Sequence, residues 1–227
     1  MAEAPTEVGG TTGPAPRRTR AEQRDASRQR LLDAAFECIV ELGYSGASTL
    51  VIAQRAGVSS GALFNHFPTK DDLLCATVHD LYVRFTGELN LQLLTEASAS
   101  DRPVERIVDI LWDALQSPPM QALYELFAAA RTNTHLRAEL SAAEPENAEA
   151  IFAFTRVLFP QAADWPGLRG LMGLVLSTLQ GAAVSTLAFE PGFDLTAAKA
   201  SLVRAVEAAL ADAVAWEEAG RPEVTGG

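Results

Sequence analysis

Residues 49–67 constrain the fold of this chain more than any other segment, because their pattern predicts two short helices joined by a tight turn. Gly57 falls at the bend, where a residue without a Cβ atom tolerates positive φ. Ala53, four residues earlier, is small enough to let the two helices cross closely. Apolar residues at compatible spacings are expected to make the contacts across this crossing: Ile52, Ala56, Val58 and Leu63. A helix-turn-helix of this kind can place its second helix in the major groove of DNA.

The second helix of this unit, about residues 60–66, is the expected recognition helix. Its N-terminus presents unpaired N–H groups and a positive dipole end, which suit a phosphate. Ser48 or Thr49 is expected to cap the first helix and Ser59 the second. Asn65 can pair with adenine or donate a hydrogen bond to a phosphate. The candidate DNA contacts that this reasoning gives are Ser48, Thr49, Ser59, Ser60, Ala62, Asn65 and His66.

The formal net charge of −11 argues at first against a nucleic-acid partner, but the charge is unevenly distributed. Residues 76–227 hold 10 basic and 20 acidic side chains, whereas residues 1–75 hold 8 basic and 9 acidic ones. Within the second group, residues 17–30 carry six arginines against Glu22 and Asp25. A local basic patch is what phosphate contact needs, and an acidic remainder keeps the rest of the protein off the duplex.

The N-terminal residues 1–24 are expected to form a disordered basic arm, since they are rich in Pro, Gly and Thr and lack the apolar stretch of a secretory signal. Arg28 and the arginines before it are candidates for contact with phosphates or the minor groove. The same arginines are equally compatible with a solubilising tail. Arg55, on the first helix of the turn unit, is either a solvated surface charge or a phosphate contact.

Helical periodicity dominates the remaining sequence, and no alternating run bounded by hairpin turns is found. The prediction is an all-α protein of about nine helices, in which a three-helix unit precedes a helical bundle. The expected divisions are the helix-turn-helix domain at 25–69, a ligand-binding and dimerisation domain at 70–220, and a loose tail at 221–227. Two helices are predicted at about residues 25–42 and 70–96, and four further helices are predicted to begin at Asp101, Ser117, Asp164 and Asp194. The stretch 134–159 is helical by pattern, and Pro145 is expected to divide it into two pieces or to kink it.

The most apolar stretch, residues 171–189, includes Ser177 and Gln180 and is expected to be a buried helix, not a membrane span. Neither Cys38 nor Cys75 has disulfide or metal-ligand spacing, so both are expected to be small buried hydrophobic residues in a reducing cytoplasm. The sequence predicts no cofactor, no metal and no membrane partner.

Residues 52–74 closely resemble the N-terminal signature of the TetR family of transcriptional regulators, as do the preceding helix and the connector at residues 42–49. The motif resemblance covers about residues 25–75; the rest is similar in length and helix count only. The resemblance implies a DNA-binding domain, a helical domain for ligand binding and dimerisation, and repression relieved by a small molecule.

The resemblance also implies roles for individual residues. Lys70 matches the phosphate-binding lysine of the family, and as a compact cation it would neutralise charge without reading sequence. Phe64 stands where the family usually has a tyrosine, so the phosphate-donating hydroxyl is missing and the ring is left to apolar contact. Leu50 and Val51 depart from the polar residues of many members, and both are expected to pack against the first helix or the connector.

A helix-turn-helix covers only a short half-site, so a two-fold dimer on a near-palindromic operator is expected. The last two helices are the candidates for the interface, because they carry apolar stripes at helical spacing and could form a four-helix bundle with a partner. The same stripes are compatible with an ordinary intradomain core. The predicted interface residues are Leu171, Leu174, Val175, Thr178, Leu179, Ala182, Leu202, Val206 and Ala209.

Aromatic residues concentrate in the middle helices, where a cavity would suit a small hydrophobic ligand. Each of them is also compatible with plain core packing. Arg131 would either pair with an anionic group of the ligand or lie on the surface. The predicted pocket residues are Phe85, Trp112, Leu115, Tyr124, Phe127, Arg131 and Phe152.

The expected function is therefore a sequence-specific transcriptional regulator, a dimeric repressor released from its operator by a small hydrophobic molecule. One alternative is a helix-turn-helix regulator controlled by a protein partner or acting as an activator. An enzyme is disfavoured, because His66, His79 and His135 are scattered and no nucleophile–base pair or phosphate loop is found.

Overall fold

The computed structural model describes residues 19–189 and 194–220, apart from the side chains of residues 143 and 144. This part of the chain contains nine α-helices and one short 3-10 helix and no strand, so the all-α prediction is confirmed. The α-helices are α1 (Arg20–Gly46), α2 (Thr49–Arg55), α3 (Ser60–His66), α4 (Lys70–Ser98), α5 (Pro103–Leu115), α6 (Pro118–Ala130), α7 (Thr134–Leu158), α8 (Leu168–Ala188) and α9 (Leu195–Glu218).

Helix α1 begins at Arg20, five residues earlier than predicted. The Thr19 side chain accepts a hydrogen bond from the Glu22 backbone N–H, and the Glu22 carboxylate accepts one from the Thr19 N–H. This capping box closes the N-terminus of the helix, so the prediction of disorder is wrong for residues 20–24. The rest of the predicted arm, residues 1–18, and the predicted tail at 221–227 lie outside the described residues.

The helix-turn-helix forms as its residue pattern predicts. Ile52 and Leu63 are fully buried across the crossing, and Gly57 has a φ of 65° at the bend. The Val58 N–H donates to the Ala53 carbonyl at 3.0 Å, which closes the turn. Val51 packs against this core as expected, but the same expectation is wrong for Leu50, because its position at the start of α2 leaves it 59% exposed.

The core of the DNA-binding unit continues into the helical body. It includes Leu73 and Leu74 of α4, Leu126 of α6 and Leu136 of α7, all fully buried. Helix α1 packs against both α4 and α6. The predicted boundary between residues 69 and 70 therefore does not separate two independent cores.

The body differs from the predicted helix limits at three points. Helix α7 runs through Pro145 as a single helix, so the division into two pieces is wrong. Helix α5 begins at Pro103 without a side-chain cap, and α8 begins only at Leu168, because residues 160–162 form the 3-10 helix and a further turn follows it. The cap of α9 is confirmed, since the Asp194 carboxylate accepts from two N–H groups of its first turn.

Helix α8 is apolar enough and long enough to cross a membrane, by length and composition alone, and only 17% of its most apolar window is buried within one copy of the chain. The prediction of a buried helix is therefore wrong for one face of α8. Leu174 is 56% exposed and Val184 43% exposed on that face, whereas Val175 and Leu179 are buried in the protomer core.

Candidate DNA interface and ligand cavity

Helix α3 is anchored by one side chain and exposes most of the others. Leu63 is fully buried, whereas Ser60, Phe64 and Asn65 are exposed and Ala62 and His66 are half-buried. The Ser59 hydroxyl accepts from the Ala62 N–H at 3.2 Å and caps the helix. This arrangement gives α3 a free outer face of the length that a major-groove contact uses.

The capping serines retain a way to contact a phosphate. Ser48 accepts from the Val51 N–H at 3.3 Å, so it and not Thr49 caps α2, while Thr49 is half-buried as the first residue of that helix. A serine hydroxyl that accepts an N–H still has its own O–H to donate. Their capping roles are therefore compatible with the predicted DNA contacts.

Three exposed arginines share one face of α1 next to α3. Arg20, Arg24 and Arg28 follow each other at four-residue intervals, which places them on the same side of the helix. The Arg28 guanidinium lies 5.4 Å from the centre of the Phe67 ring, at the C-terminal end of α3. Burial, and after it the positive charges of Arg24 and Arg28, lower the pKa of His66. The basic face of α1 thus continues directly into the recognition helix.

Arg55 is an exposed residue that forms ion pairs with helix α1. Its guanidinium pairs with Glu41 of α1 at 2.5 Å and with Glu37 at 3.6 Å. These contacts tie α2 to α1 and neutralise the charge of Arg55. Both partners lie more than one helical turn away along the sequence, so the spacing within α2 gave no sign of them.

Lys70 points toward Tyr44, which lies in the last turn of α1 after the break at Gly43 and before the connector to α2. Its Nζ donates to the Tyr44 carbonyl at 2.6 Å and lies 4.2 Å from the centre of the Tyr44 ring. Burial lowers the pKa of Lys70. An ammonium has three N–H donors, so a phosphate contact by Lys70 would have to share the group with Tyr44.

Tyr44 is also the centre of a polar cluster that the sequence did not reveal. Its hydroxyl donates to Asp71 of α4 at 3.2 Å and accepts from the Asn133 amide at 3.1 Å. The same amide donates to Asp71 at 2.7 Å, while the Asn133 carbonyl oxygen caps α7 by accepting from Leu136. The Tyr44–Asp71–Asn133 cluster therefore joins the last turn of α1, α4 and the start of α7.

A cavity of about 440 Å³ lies in the helical body, between α4, α5, α6, α7 and α8. Of the predicted pocket residues, Phe85, Leu115 and Phe127 line it. Phe154 and Phe159 add two further rings from the C-terminal half of α7 and the residue that follows it. The lining is largely aliphatic and aromatic, and its polar side chains come from α4, α7 and α8.

Four predicted pocket residues do not line this cavity. Trp112 packs in the core beneath the Lys199 ammonium, 5.9 Å from its ring centre. Tyr124 donates from its hydroxyl to the Leu115 carbonyl at 3.1 Å. Phe152 lies 3.9 Å below the Arg169 guanidinium, and Arg131 is exposed at the end of α6. An aromatic residue type indicates burial but not which space its ring borders.

The predicted interface residues divide between two faces of α8 and α9. Val175, Leu179, Leu202 and Val206 are buried in the protomer's own core, because the most apolar stripe of each helix faces inward. Leu171 lines the cavity. Only Leu174 and Thr178 are exposed, and Ala182 and Ala209 are half-buried. The outer face of α8 is completed by Gly170 and Gly181.

Comparisons with known proteins identify the family to which this chain is similar. The sequence profile of bacterial regulatory proteins of the tetR family matches residues 31–77, which contain the helix-turn-helix. An uncharacterized HTH-type transcriptional regulator of Mycobacterium tuberculosis is 35% identical over 173 residues, covering 74% of this chain and 86% of the relative. The regulator CymR of Pseudomonas putida is 27% identical over 172 residues, covering 75% and 84%.

Solved structures share the fold. The multidrug binding protein EbrR, crystallised with imidazole, superposes with a TM-score of 0.54 at 27% identity and covers 78% of this chain and 93% of its own. A transcriptional regulator from Saccharomonospora viridis, in complex with choline, gives a TM-score of 0.61 at 18% identity, with 81% and 96% covered. The chain belongs to the tetR family of bacterial regulatory proteins and is a DNA-binding transcriptional regulator, not an enzyme.

Proposed function

We propose that this protein is a homodimeric repressor, which binds a near-palindromic operator and is released from it by a small, largely apolar ligand. Such a protein acts in the cytoplasm, where its operator lies. One observation carries the proposal: the same two helices build both the core of the DNA-binding unit and the wall of the cavity.

Helices α4 and α6 make this connection. Leu74 of α4 and Leu126 of α6 are fully buried in the core of the DNA-binding unit. About three turns further along α4, Phe85 lines the cavity, and Phe127 of α6 lines it one residue after Leu126. A molecule that moves either helix when it fills the cavity must therefore shift the packing beneath α3. Because packed cores adopt discrete arrangements, a small shift can favour a second orientation of the DNA-binding unit.

Release follows if the ligand binds better to a state in which the two recognition helices of the dimer are wrongly spaced for the operator. The structures of EbrR with imidazole and of the Saccharomonospora viridis regulator with choline support a small-molecule site in this fold. Those ligands belong to those proteins, and the occupant of the present cavity depends on the side chains that line it.

The DNA side of the proposal is tested at Asn65, which is exposed on α3. An operator is first obtained by selection from random duplexes, and its affinity for the wild type and for Asn65→Ala is then measured at fixed salt. Loss of a bidentate base contact is expected to cost about 1–3 kcal/mol of binding free energy. The matched control is Asn147→Ala on α7, which should bind as the wild type does. Equal affinities for all three proteins would contradict the docking through α3.

A further inference from the structure

The cavity in the helical body has no acidic, basic or histidine side chain among the described residues that line it. Removing a charged group from water without a partner costs far more than an apolar contact returns. A ligand enclosed by these walls is therefore uncharged. We propose that the cavity selects a neutral, mainly apolar molecule of about three rings that carries a hydrogen-bonding group such as a ketone or a hydroxyl. This inference rests on the proposed ligand-released function.

The hydrogen-bonding requirement comes from two amides in the lining. Asn90 of α4 and Gln180 of α8 are both half-buried, and each side chain offers donors and an acceptor. Thr86 lies one turn before Asn90, which extends the polar strip along α4. Thr155 already donates its hydroxyl to the Ile151 carbonyl at 2.9 Å, so it offers only its lone pairs to a ligand. A purely hydrocarbon ligand would leave the amides without partners when it displaced water from them.

The size and shape follow from the volume and the aromatic lining. A cavity of about 440 Å³ has roughly three times the 150 Å³ of an apolar cavity that accommodates benzene. Aromatic rings from α4, α6 and α7 border it, including Phe85, Phe127 and Phe154. Flat rings make offset or edge-to-face contacts with such side chains. A cation could also lie against these rings, but the described lining residues include no carboxylate to balance its charge.

Four probes with one three-ring skeleton separate these properties: fluorenone, fluorene, fluorene-9-carboxylate and 9-aminofluorene as its ammonium ion. Binding is measured by calorimetry at pH 7, and release of DNA by fluorescence anisotropy of a labelled operator. Fluorenone is expected to bind at least fivefold more tightly than fluorene, the change that one hydrogen bond makes. Each charged probe is expected to bind at least tenfold more weakly than fluorenone. Release of the operator should follow the same order.

Variants identify the amides as the source of the preference. Asn90→Leu and Gln180→Leu, made singly and together, remove the hydrogen bonds while keeping the apolar volume. The double variant is expected to lose the preference for fluorenone over fluorene and to keep its affinity for fluorene. The control is Gln92→Leu, which makes the same kind of change at an exposed position on α4 outside the cavity lining.

The outcomes separate the ligand class from the function. A charged probe that binds as tightly as fluorenone overturns the inference, and so does a double variant that keeps the ketone preference. Binding of none of the four probes at their solubility limits overturns it as well. In each of these cases DNA binding by the unliganded protein still stands. Failure of the unliganded wild type to bind any selected operator would instead overturn the proposed function.

Discussion

Phe64 places a largely apolar ring on the surface that is expected to face DNA. The side chain is 48% exposed on α3, although its neighbour Leu63 is fully buried. An exposed ring cannot accept or donate a conventional hydrogen bond to a phosphate, so it contributes only apolar contact, for example with a thymine methyl group. The phenylalanine differs by one hydroxyl group from the tyrosine that is usual in the family at this position.

We expect Phe64→Tyr to strengthen operator binding. The added hydroxyl can donate to a phosphate, and one such bond is worth about 1 kcal/mol, or roughly fivefold in affinity. The free energy of unfolding should stay unchanged, since the ring is already exposed. Affinity is measured by anisotropy at fixed salt, with Phe189→Tyr as the control at an exposed position after α8. A gain in both variants, or in neither, would show that the hydroxyl does not reach the DNA.

Among the elements, the N-terminal turns of α4 and α7 are held together by polar contacts as well as by packing. The Tyr44–Asp71–Asn133 cluster connects them to the last turn of α1, which precedes α2. A second contact nearby joins Asp72 of α4 to His135 of α7 at 3.3 Å. Partly buried hydrogen bonds have strict distance and angle requirements, so this corner fixes the position of the DNA-binding unit more narrowly than apolar contact would.

Two variants of Asn133 separate its capping of α7 from its contacts in the cluster. Asn133→Ser keeps a good N-cap residue but has no amide to reach Tyr44 and Asp71, and it is expected to lower stability by about 1–2 kcal/mol. Asn133→Ala should cost about 1 kcal/mol more, because the cap is lost as well. Urea unfolding measures both losses, and operator affinity should fall in both variants. A serine variant with wild-type stability and affinity would show that the cluster does not position the DNA-binding unit.

The elements also show what could be read from the sequence. The helix-turn-helix was predictable because its glycine, caps and apolar contacts all lie within about twenty residues. The hydrogen bond of the Lys70 ammonium was not predictable, because its acceptor, the Tyr44 carbonyl, lies 26 residues away and comes near only on folding. Helical spacing correctly marked apolar stripes on α8 and α9, but a stripe has the same period whether it faces its own core or a second subunit. The ion pairs of Arg55 were likewise not predictable, because both carboxylates lie on another helix.

At the scale of the whole molecule, the outer face of α8 is an apolar surface that no other described residue of the same protomer covers. Leu174 and Val184 are 56% and 43% exposed, and the small residues Gly170, Gly181 and Ser185 lie beside them on the same face. Large contiguous apolar surfaces on soluble proteins commonly mark interfaces. Pairing of this face with its own copy would satisfy the expected two-fold symmetry and set the distance between two recognition helices.

We expect Leu174→Glu to convert the proposed dimer to a monomer, because the interface would then enclose an unpaired carboxylate from each protomer. Sedimentation equilibrium measures the change in mass. The protomer should stay folded, since Leu174 is more than half exposed within it. Leu91→Glu, at an exposed position on α4, is the control and should keep the dimer. A Leu174→Glu protein with the mass of a dimer would place the interface elsewhere.

The capping box at the start of α1 has a thermodynamic consequence for DNA binding. Because Thr19 and Glu22 fix the first turn, Arg20, Arg24 and Arg28 are carried on backbone that is ordered before DNA arrives. A flexible arm would have to be immobilised on the duplex, and coupled folding of that kind adds a large negative heat-capacity change. Because these three arginines already lie on a helix, their contact with DNA should add no coupled-folding contribution to the heat-capacity change of association.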